Sequence, residues 1–540
     1  MKLNYKRTIC VGFAFFLISM FWQVYDTLVP KILTDKFGMA QTWSGLIMAL
    51  DNVFALFLLP IFGAISDRVN SRHGRRTPFI FIGTILAAVL LFSVAIPDAM
   101  QKDRLEKIDA TEGEAYVEVL DTLWEHNPEI PEIREDMGTE KKPLQVIFDG
   151  SVDGYSEADF RAITLTVESD GETKTNPLYT DVVIPARQAY AASVTADSPG
   201  ALILFVAMLF LLLVAMGTFR SPAVALMPDV TVKPLRSKAN AIINLMGTAG
   251  GIIVLGLGMV FGTGKTANAL MSYTVFFGVV AALMLAALVA FLLTVREPRF
   301  AREMQEESRR LGIDEEKENA EAEAKLAARA GMKLDRPQLI SLLLILASVA
   351  LWYMGYNAVT SKYSVYAGTV LGLDYNSTLI IAQAAAIVAY IPAGIVASKL
   401  GRRKTILGGI ILLFTAFLGA SFLGSGMNPT LSAILVNVLF VMAGIGWATI
   451  NVNSFPMVVE LSKSADVGRY TGFYYTASMA AQVLTPILSG LLMDTIHMRV
   501  LFPYAALFVA LAFVTMLFVR HGDSKPTEKK SALEQLGADD

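Results

Sequence analysis

Gly63-Ala64-Ile65-Ser66-Asp67-Arg68, closely followed by Gly74-Arg75-Arg76, returns later in the chain as Gly394-Ile395-Val396-Ala397-Ser398-Lys399 and Gly401-Arg402-Arg403-Lys404. Each copy closes a long apolar run, and the second begins 331 residues after the first. Another pair of landmarks is closer together. Asp229 and Arg236 have counterparts in Glu460 and Arg469, at offsets of 231 and 233 residues. Two homologous halves explain both offsets if about 100 extra residues are inserted in the first half, between its two landmarks.

The charge distribution locates that insertion. The 540 residues are 54% hydrophobic and only 17% charged, with a formal net charge of −3, against about 25% charged in ordinary soluble domains. Residues 98–197 contain 23 acidic and 9 basic side chains, whereas the other 440 contain 25 acidic and 36 basic ones. An acidic module thus interrupts a basic, apolar body. One cysteine, Cys10, and four histidines exclude a disulfide framework and leave no expectation of a metal centre or other cofactor. The near-zero net charge argues against nucleic acid as a partner.

A helix crossing the hydrocarbon core needs roughly 20 apolar residues. Twelve runs qualify, at about 8–30, 43–66, 78–97, 200–228, 239–262, 270–295, 338–360, 376–397, 404–424, 431–458, 469–492 and 500–520. The first is longer than a signal-peptide core, lacks a small-residue cleavage site, and reads as a retained span. Orientation follows from lysine and arginine in the short loops. Lys2, Lys6, Arg7, Arg68, Arg72, Arg75, Arg76, Arg220, Lys233, Arg236, Lys238, Lys399, Arg402, Arg403 and Lys404 fall on one side. Only Lys31, Lys36, Lys265, Lys362 and Arg499 fall on the other. Fifteen against five puts both termini in the cytoplasm, in a multi-pass protein of the cell membrane with the lipid bilayer around it.

The expected fold is therefore an all-α membrane protein with twelve transmembrane helices in two pseudo-symmetric six-helix bundles, plus a small α+β extracellular insertion between spans 3 and 4. Residues 1–97 carry spans 1–3, 98–198 the inserted domain, and 199–297 spans 4–6. Residues 298–337 form a cytoplasmic linker with a charged amphipathic helix around Glu303–Ala330, 338–520 carry spans 7–12, and 521–540 are a cytoplasmic tail.

Twelve spans, a six-plus-six repeat and G-x-x-x-D-R…G-R-R after span 2 resemble the major facilitator superfamily. Ser398 departs from the pattern, standing where the second copy would carry its acidic residue. The longer block Ser66-Asp67-Arg68-Val69-Asn70-Ser71-Arg72-His73-Gly74-Arg75-Arg76-Thr77-Pro78-Phe79-Ile80 is similar to the sucrose/proton symporters and their solute-carrier relatives. Two looser blocks are Arg220-Ser221-Pro222…Pro228-Asp229 and Gly472-Phe473-Tyr474-Tyr475…Gln482. The resemblance implies a transporter rather than an enzyme, and a monomer working by alternating access. It also implies a cytoplasmic gate at Asp67, Arg68, Gly74, Arg75, Arg76, Asp229 and Arg236, with Gly401, Arg402, Arg403, Glu460 and Arg469 in the second half.

Charges inside spans cost about 2.5–3.5 kcal/mol or more at the bilayer centre and so mark function. At 1.5 Å per residue, Asp51 lies about 5 Å, and Asp26 about 10 Å, to the outer side of their helix centres. Because spans 1 and 2 run antiparallel, both carboxylates can border the same outward-facing cavity. With Arg220 in span 4 they are the candidates for proton coupling, since an apolar setting helps a carboxyl bind and release a proton near neutral pH. Melibiose-type sodium symporters carry acidic residues in span 2 where this chain has Ala55 and Leu59, which favours the proton over sodium. Planar amides and aromatics, which grip sugars by hydrogen bonding and stacking, are the substrate-binding candidates: Gln23, Asn244, Trp352, Tyr356, Asn357, Gln383, Trp447, Asn451, Tyr475 and Gln482.

In the insertion, 99–126 read as helical, and Leu144–Phe148 and Ile163–Glu168 as strands around turns at Asp149-Gly150 and Asp170-Gly171. Asp149–Gly154 begins like a calcium loop, but Phe160 stands where the bidentate glutamate belongs. The functional expectation is proton-coupled import of a sugar, a glucoside or disaccharide. The alternatives are an exporter of drugs or metabolites and a membrane sensor that reads a ligand through the external domain.

Overall fold

A computed structural model describes residues 3–69, 71–131, 141–150, 154–169, 172–232, 235–310, 336–424, 427–461 and 467–521. The long helices of the first half are α1 (Tyr5–Lys31), α2 (Gln41–Arg68), α3 (Thr77–Ser93), which continues almost directly into α4 (Ala95–Arg104), and then α9 (Gly200–Val230), α10 (Arg236–Phe261) and α11 (Thr274–Thr294). Between α4 and α9 lies a module of α5 (Glu114–His126), β1 (Glu129–Pro131), β2 (Lys141–Pro143), α6 (Leu144–Ile147), α7 (Glu157–Arg161), β3 (Thr166–Ser169), β4 (Glu172–Thr175) and α8 (Ile184–Asp197). A charged helix α12 (Glu297–Arg310) follows the first half. The second half contains α13 (Arg336–Tyr366), α14 (Tyr375–Leu400), α15 (Arg402–Ala420), α16 (Pro429–Glu460), α17 (Val467–Thr495) and α18 (Leu501–Leu517).

Among the described residues, eleven helices are long and apolar enough to cross a membrane, and α14 contributes a shorter apolar stretch, Tyr375–Tyr390. Their outward faces carry large exposed apolar side chains, such as Phe57, Ile203, Leu293, Val388 and Phe422. In water such patches would be a liability, but against lipid tails they cost nothing.

Packing repeats between the halves. In the first, α1 packs on α10 and α11, α9 on α2 and α3, and α3 on α11; in the second, α13 packs on α17 and α18, α16 on α14 and α15, and α15 on α18. The halves meet through α1 with α13, α2 with α17, and α10 with α14. Each half has its own apolar core, around Phe21, Phe205 and Met284 in the first and around Trp352, Tyr363 and Phe502 in the second.

The module has a third core, of Leu120, Leu123, Phe148, Phe160 and Val183 among others. Two of its strand expectations need correction. Leu144–Ile147 is a helical turn opened by Pro143, not a strand, because a turn brings Leu144, Ile147 and Phe148 onto one buried face. The second strand lies at Thr166–Ser169, paired antiparallel with Glu172–Thr175, later than the expected Ile163–Glu168. The 99–126 stretch is two helices, α4 and α5, separated by residues 105–113, which include a short 3-10 turn at Glu106–Ile108 and end at Gly113, with φ of +74°. The Asp170-Gly171 turn, residues 151–153 of the calcium-like loop, and most of the linker helix lie outside the described residues.

Of two buried ion pairs at the end that bears the module, one lies within the extended first helix and the other ties that helix to α4. Lys31 bonds Asp35 at 2.8 Å, and Lys36, wholly buried, bonds Asp98 at 2.5 Å. Asp98 also accepts from the Tyr273 amide at 3.1 Å. Lys31 and Lys36 were expected in a short wet loop; instead α1 continues through them as one π-helical turn.

Candidate transport site

Halfway along the helices, a cavity of about 210 Å³ lies between the halves. The first half lines it with Trp22, Asp26, Asp51, Asn52 and Arg220, and the second with Asn357, Thr360, Ser361 and Gln482. Asp26 and Asp51 both reach it from antiparallel α1 and α2, but contacts of α2 with α17 and α13 at the module end close the side that their depth along the spans predicts to be open. Asn52 Nδ2 donates to Asp51 Oδ1 at 2.7 Å and fixes its orientation. The Arg220 guanidinium sits over the Trp22 ring at 5.0 Å and acts on Asp51 and Asp26 through space. Trp22 Nε1 and Asn357 Nδ2, one from each half, are buried donors with no hydrogen-bond partner among the described residues. Unpaired buried donors are costly, so a cavity lined by two of them suits a ligand that supplies acceptors.

Nearby, Gln383 Nε2 donates to Gln23 Oε1 at 2.7 Å, joining α14 to α1. Tyr356 stacks flat on Trp447 at 3.7 Å, and Tyr353 meets the same indole edge-on at 5.1 Å. Arg220 also lines a second cavity, of about 470 Å³, with Leu59, Pro228, Arg236 and Asn240. It therefore forms part of the wall between the central cavity and one opening towards the arginine-rich end.

The two ends of the protein differ. At the module end, the Asp494 carboxylate of α17 accepts from Gln41 N at 2.8 Å, Thr42 N at 2.7 Å and Thr42 Oγ1 at 2.6 Å. Ala40 precedes α2 and has no capping side chain, so the opposite half supplies the N-cap. Lys362 Nζ, fully buried within α13, donates to Gln41 O at 2.7 Å. A Cβ at Gly45 would stand 1.9 Å from Pro486 O, and one at Gly490 2.3 Å from Gln41 O. Thr263 Oγ1, just beyond α10, and Tyr375 OH, at the start of α14, bond at 2.9 Å. This end is shut.

At the arginine-rich end the charged residues pair within the first half. Arg76 bonds Asp67, Ser66 Oγ and, at 2.8 Å, Asp229, while Arg75 bonds Asp229 at 2.9 Å. Glu297 of α12 caps α3, accepting from the amides of Arg75, Arg76 and Thr77 at 2.7, 2.9 and 2.8 Å. Gly74, at φ +106°, leaves room for that carboxylate, because a Cβ there would lie 2.2 Å from the Glu297 carboxyl carbon. Arg236 donates to Pro228 O and Thr231 O. In the second half Gly401 ends α14 at φ +93°, and Arg403 donates to Leu517 O at 2.6 Å.

The profile of the Major Facilitator Superfamily matches residues 188–455 and 377–538, and that of MFS/sugar transport proteins matches residues 10–102. The chain belongs to the Major Facilitator Superfamily. Neither match enters residues 103–187, most of the acidic module. Among solved structures, the inward-open xylose transporter XylE from E. coli is similar at a TM-score of 0.54 and 15% identity, with 98% of each chain covered. The nucleoside transporter NupG gives 0.52 at 13% identity, covering 96% of this chain and all of that one. A peptide transporter in complex with alafosfalin gives 0.53 at 11%, covering 95% and 93%. At such identities these likenesses concern the fold. A general alpha-glucoside permease from Schizosaccharomyces pombe is 38% identical over 55 residues, so this chain spans only 10% of that relative's length. Family and fold are those of membrane transporters, not enzymes.

The remaining sequence candidates divide by position in this superfamily fold. Trp352 is 1% exposed and belongs to the apolar core of the second half, so the structure removes it from the cavity. Of the substrate-binding candidates only Asn357 and Gln482 line the central cavity; Gln23, Asn244, Tyr356, Gln383, Trp447 and Asn451 do not, and Tyr475 packs on Phe455 and Tyr474. Arg68 is exposed. The side chains of Glu460 and Arg469 lie outside the described residues. Lys362, expected in a loop, is inside α13, where its amine donates to the carbonyl of Gln41 at the start of α2. Sequence reading missed Trp22, Asn52, Thr360 and Ser361 in the cavity, and Lys362, Asp494 and Glu297 at the ends.

Proposed function

We propose that this protein imports a sugar, a glucoside or disaccharide, together with protons, by alternating access of its two halves. The supporting observation is the central cavity, where Asp26, Asp51 and Arg220 of one half face Asn357, Thr360, Ser361 and Gln482 of the other. Amides and hydroxyls supply the paired donors and acceptors that a polyol requires. The Tyr356–Trp447 stack offers an apolar face of the kind sugar rings prefer. Asp26 and Asp51 exchange the proton, and Arg220, within reach of both fields, couples that charge to the occupant. The names of the similar proteins point the same way, since one is an alpha-glucoside permease and one a D-xylose-proton symporter.

On this reading the module end is extracellular, the arginine-rich end and both termini are cytoplasmic, and the protein works as a monomer in the plasma membrane. Residues 1–97 and 199–297 form one rocking body and 338–520 the other, with 98–198 outside. Asp67, Arg75, Arg76, Asp229 and Glu297 brace the cytoplasmic end of the first body, so that it moves as a unit.

Proteoliposomes with an acidic exterior should accumulate labelled maltose. A protonophore should abolish accumulation, and Asp51→Asn should leave only downhill exchange. Accumulation indifferent to the pH gradient overturns the coupling.

A further inference from the structure

Directly above the shut gate is a chamber of about 510 Å³, within the range of about 300–1,000 Å³ typical of small-molecule sites. Three parts of the chain build it. The first half supplies its floor through Gln41, the second half contributes Asp494, His497 and Arg499, and the module closes it with Asp181 and Gln188.

The side chains facing it form a graded set of donors and acceptors. Gln41 is 3% exposed; its Nε2 donates to Thr34 Oγ1 at 3.0 Å, and its Oε1 has no partner among the described residues. Gln188 Nε2 is committed to Asp35 Oδ1 at 3.0 Å, which leaves its oxygen as an acceptor. His497 Nδ1 accepts from the Arg499 amide at 3.1 Å, and burial and the Arg499 charge hold the ring's pKa down. It is therefore neutral, with its proton on Nε2 as a fixed donor. Asp181 and Arg499 both line the chamber, and the Arg499 charge partly offsets the upward push that burial gives the Asp181 carboxyl. Asp494 is already spent on the α2 amides, and Glu129 and Lys141 balance each other in charge at the exposed rim. The interior thus offers both hydrogen-bonding senses with little net charge, next to the apolar surfaces of Pro185 and Val370.

We infer that this chamber is a second, outer binding site for an uncharged polyhydroxylated solute, a mono- or disaccharide, which exists only while the outer gate is shut. The ligand class rests on the transport reading above; the site itself rests on the chamber. When α2 and α17 part, Gln41 moves away from Asp494 and the site comes apart. A ligand confined to one state favours that state by the factor 1 + [L]/Kd. External sugar at ten times the chamber's Kd therefore holds the gate shut about elevenfold more firmly. Uptake should rise with external sugar and then fall.

Initial net uptake of maltose into proteoliposomes, over three decades of external concentration, tests this. The wild type should show a falling limb. The double variant Gln188→Leu/His497→Phe should saturate without one, at unchanged low-concentration rates. A wild-type curve that only saturates overturns the inference, as does a falling limb unaltered in the variant. Where the double variant does not assemble, His497→Phe alone is compared. Calorimetry in detergent separates this from the transport reading. Trp447→Ala, which removes the indole that supports Tyr356 next to Asn357 of the central cavity, should retain a maltose-binding heat that adding His497→Phe abolishes. Loss of all binding in Trp447→Ala refutes the outer site, whereas binding without any uptake refutes transport alone.

Discussion

Replacing Asp494 with alanine should open the module end. In the shut state its carboxylate takes two backbone amides and one hydroxyl of α2, all within 2.8 Å. A lost N-cap costs about 0.5–2 kcal/mol, and a hydrogen bond to a charged group is worth about 1.5–3 kcal/mol net. In the open state water satisfies all of these groups, so the difference falls on the open–shut equilibrium. The bonds share one carboxylate and do not add fully; about 2 kcal/mol is the reasonable sum. That corresponds to roughly a 30-fold shift towards opening, at a factor of ten per 1.4 kcal/mol. Cys10 is the one native cysteine, so Cys10→Ser with Ser361→Cys puts a single thiol in the central cavity. A membrane-impermeant maleimide outside right-side-out proteoliposomes should label it about 30-fold faster when Asp494 is alanine. A change smaller than twofold would refute the idea that Asp494 holds this end shut.

Glu297→Ala should lower the unfolding temperature in detergent by several degrees, because it strips four hydrogen bonds from the start of α3; an unchanged transition contradicts the capping role. Trp352→Ala should destabilise by about 3–5 kcal/mol as a core truncation, whereas Trp447→Ala should chiefly weaken sugar binding; thermal unfolding and calorimetry separate the two. Burial raises the Asp181 carboxyl above its ordinary value of 3.8, with Arg499 opposing. A raised folded-state value means the folded module binds more protons, so this contribution to stability is present at low pH and is lost as pH rises through the raised value. Hydrogen exchange in α8 should accordingly quicken over that window in the wild type and lose this dependence in Asp181→Asn.

Most of the scaffold was legible because apolar run length and a repeated glycine–arginine turn are local signals. The depths of Asp26, Asp51 and Arg220 followed from helix rise alone, and these three do share a cavity. The gate was not legible. Asp494 meets Gln41 across 453 residues, Lys362 meets Gln41 across 321, and Glu297 meets Arg75 across 222; no local pattern marks such partners. Trp352 and Trp447 look alike in sequence, and only the packing of α13 and α16 decides that Trp352 lies within the second core while Trp447 is half-buried at its edge against Tyr356. In the module, short alternating runs such as Leu144–Phe148 suit one helical turn as well as a strand, and Pro143 resolved the choice.

The Gln23–Gln383 bond has a further consequence for movement. On the alternating-access reading, it lies between the shut contacts at one end and the arginine-rich end, where rocking would displace the helices least. Each side-chain amide carries both a donor and an acceptor, so either can turn over and bond again after a small slide. A salt bridge there would have to break and expose charge to the apolar interior. Two neutral amides instead make a bearing: they keep the halves in contact throughout the swing while favouring neither extreme.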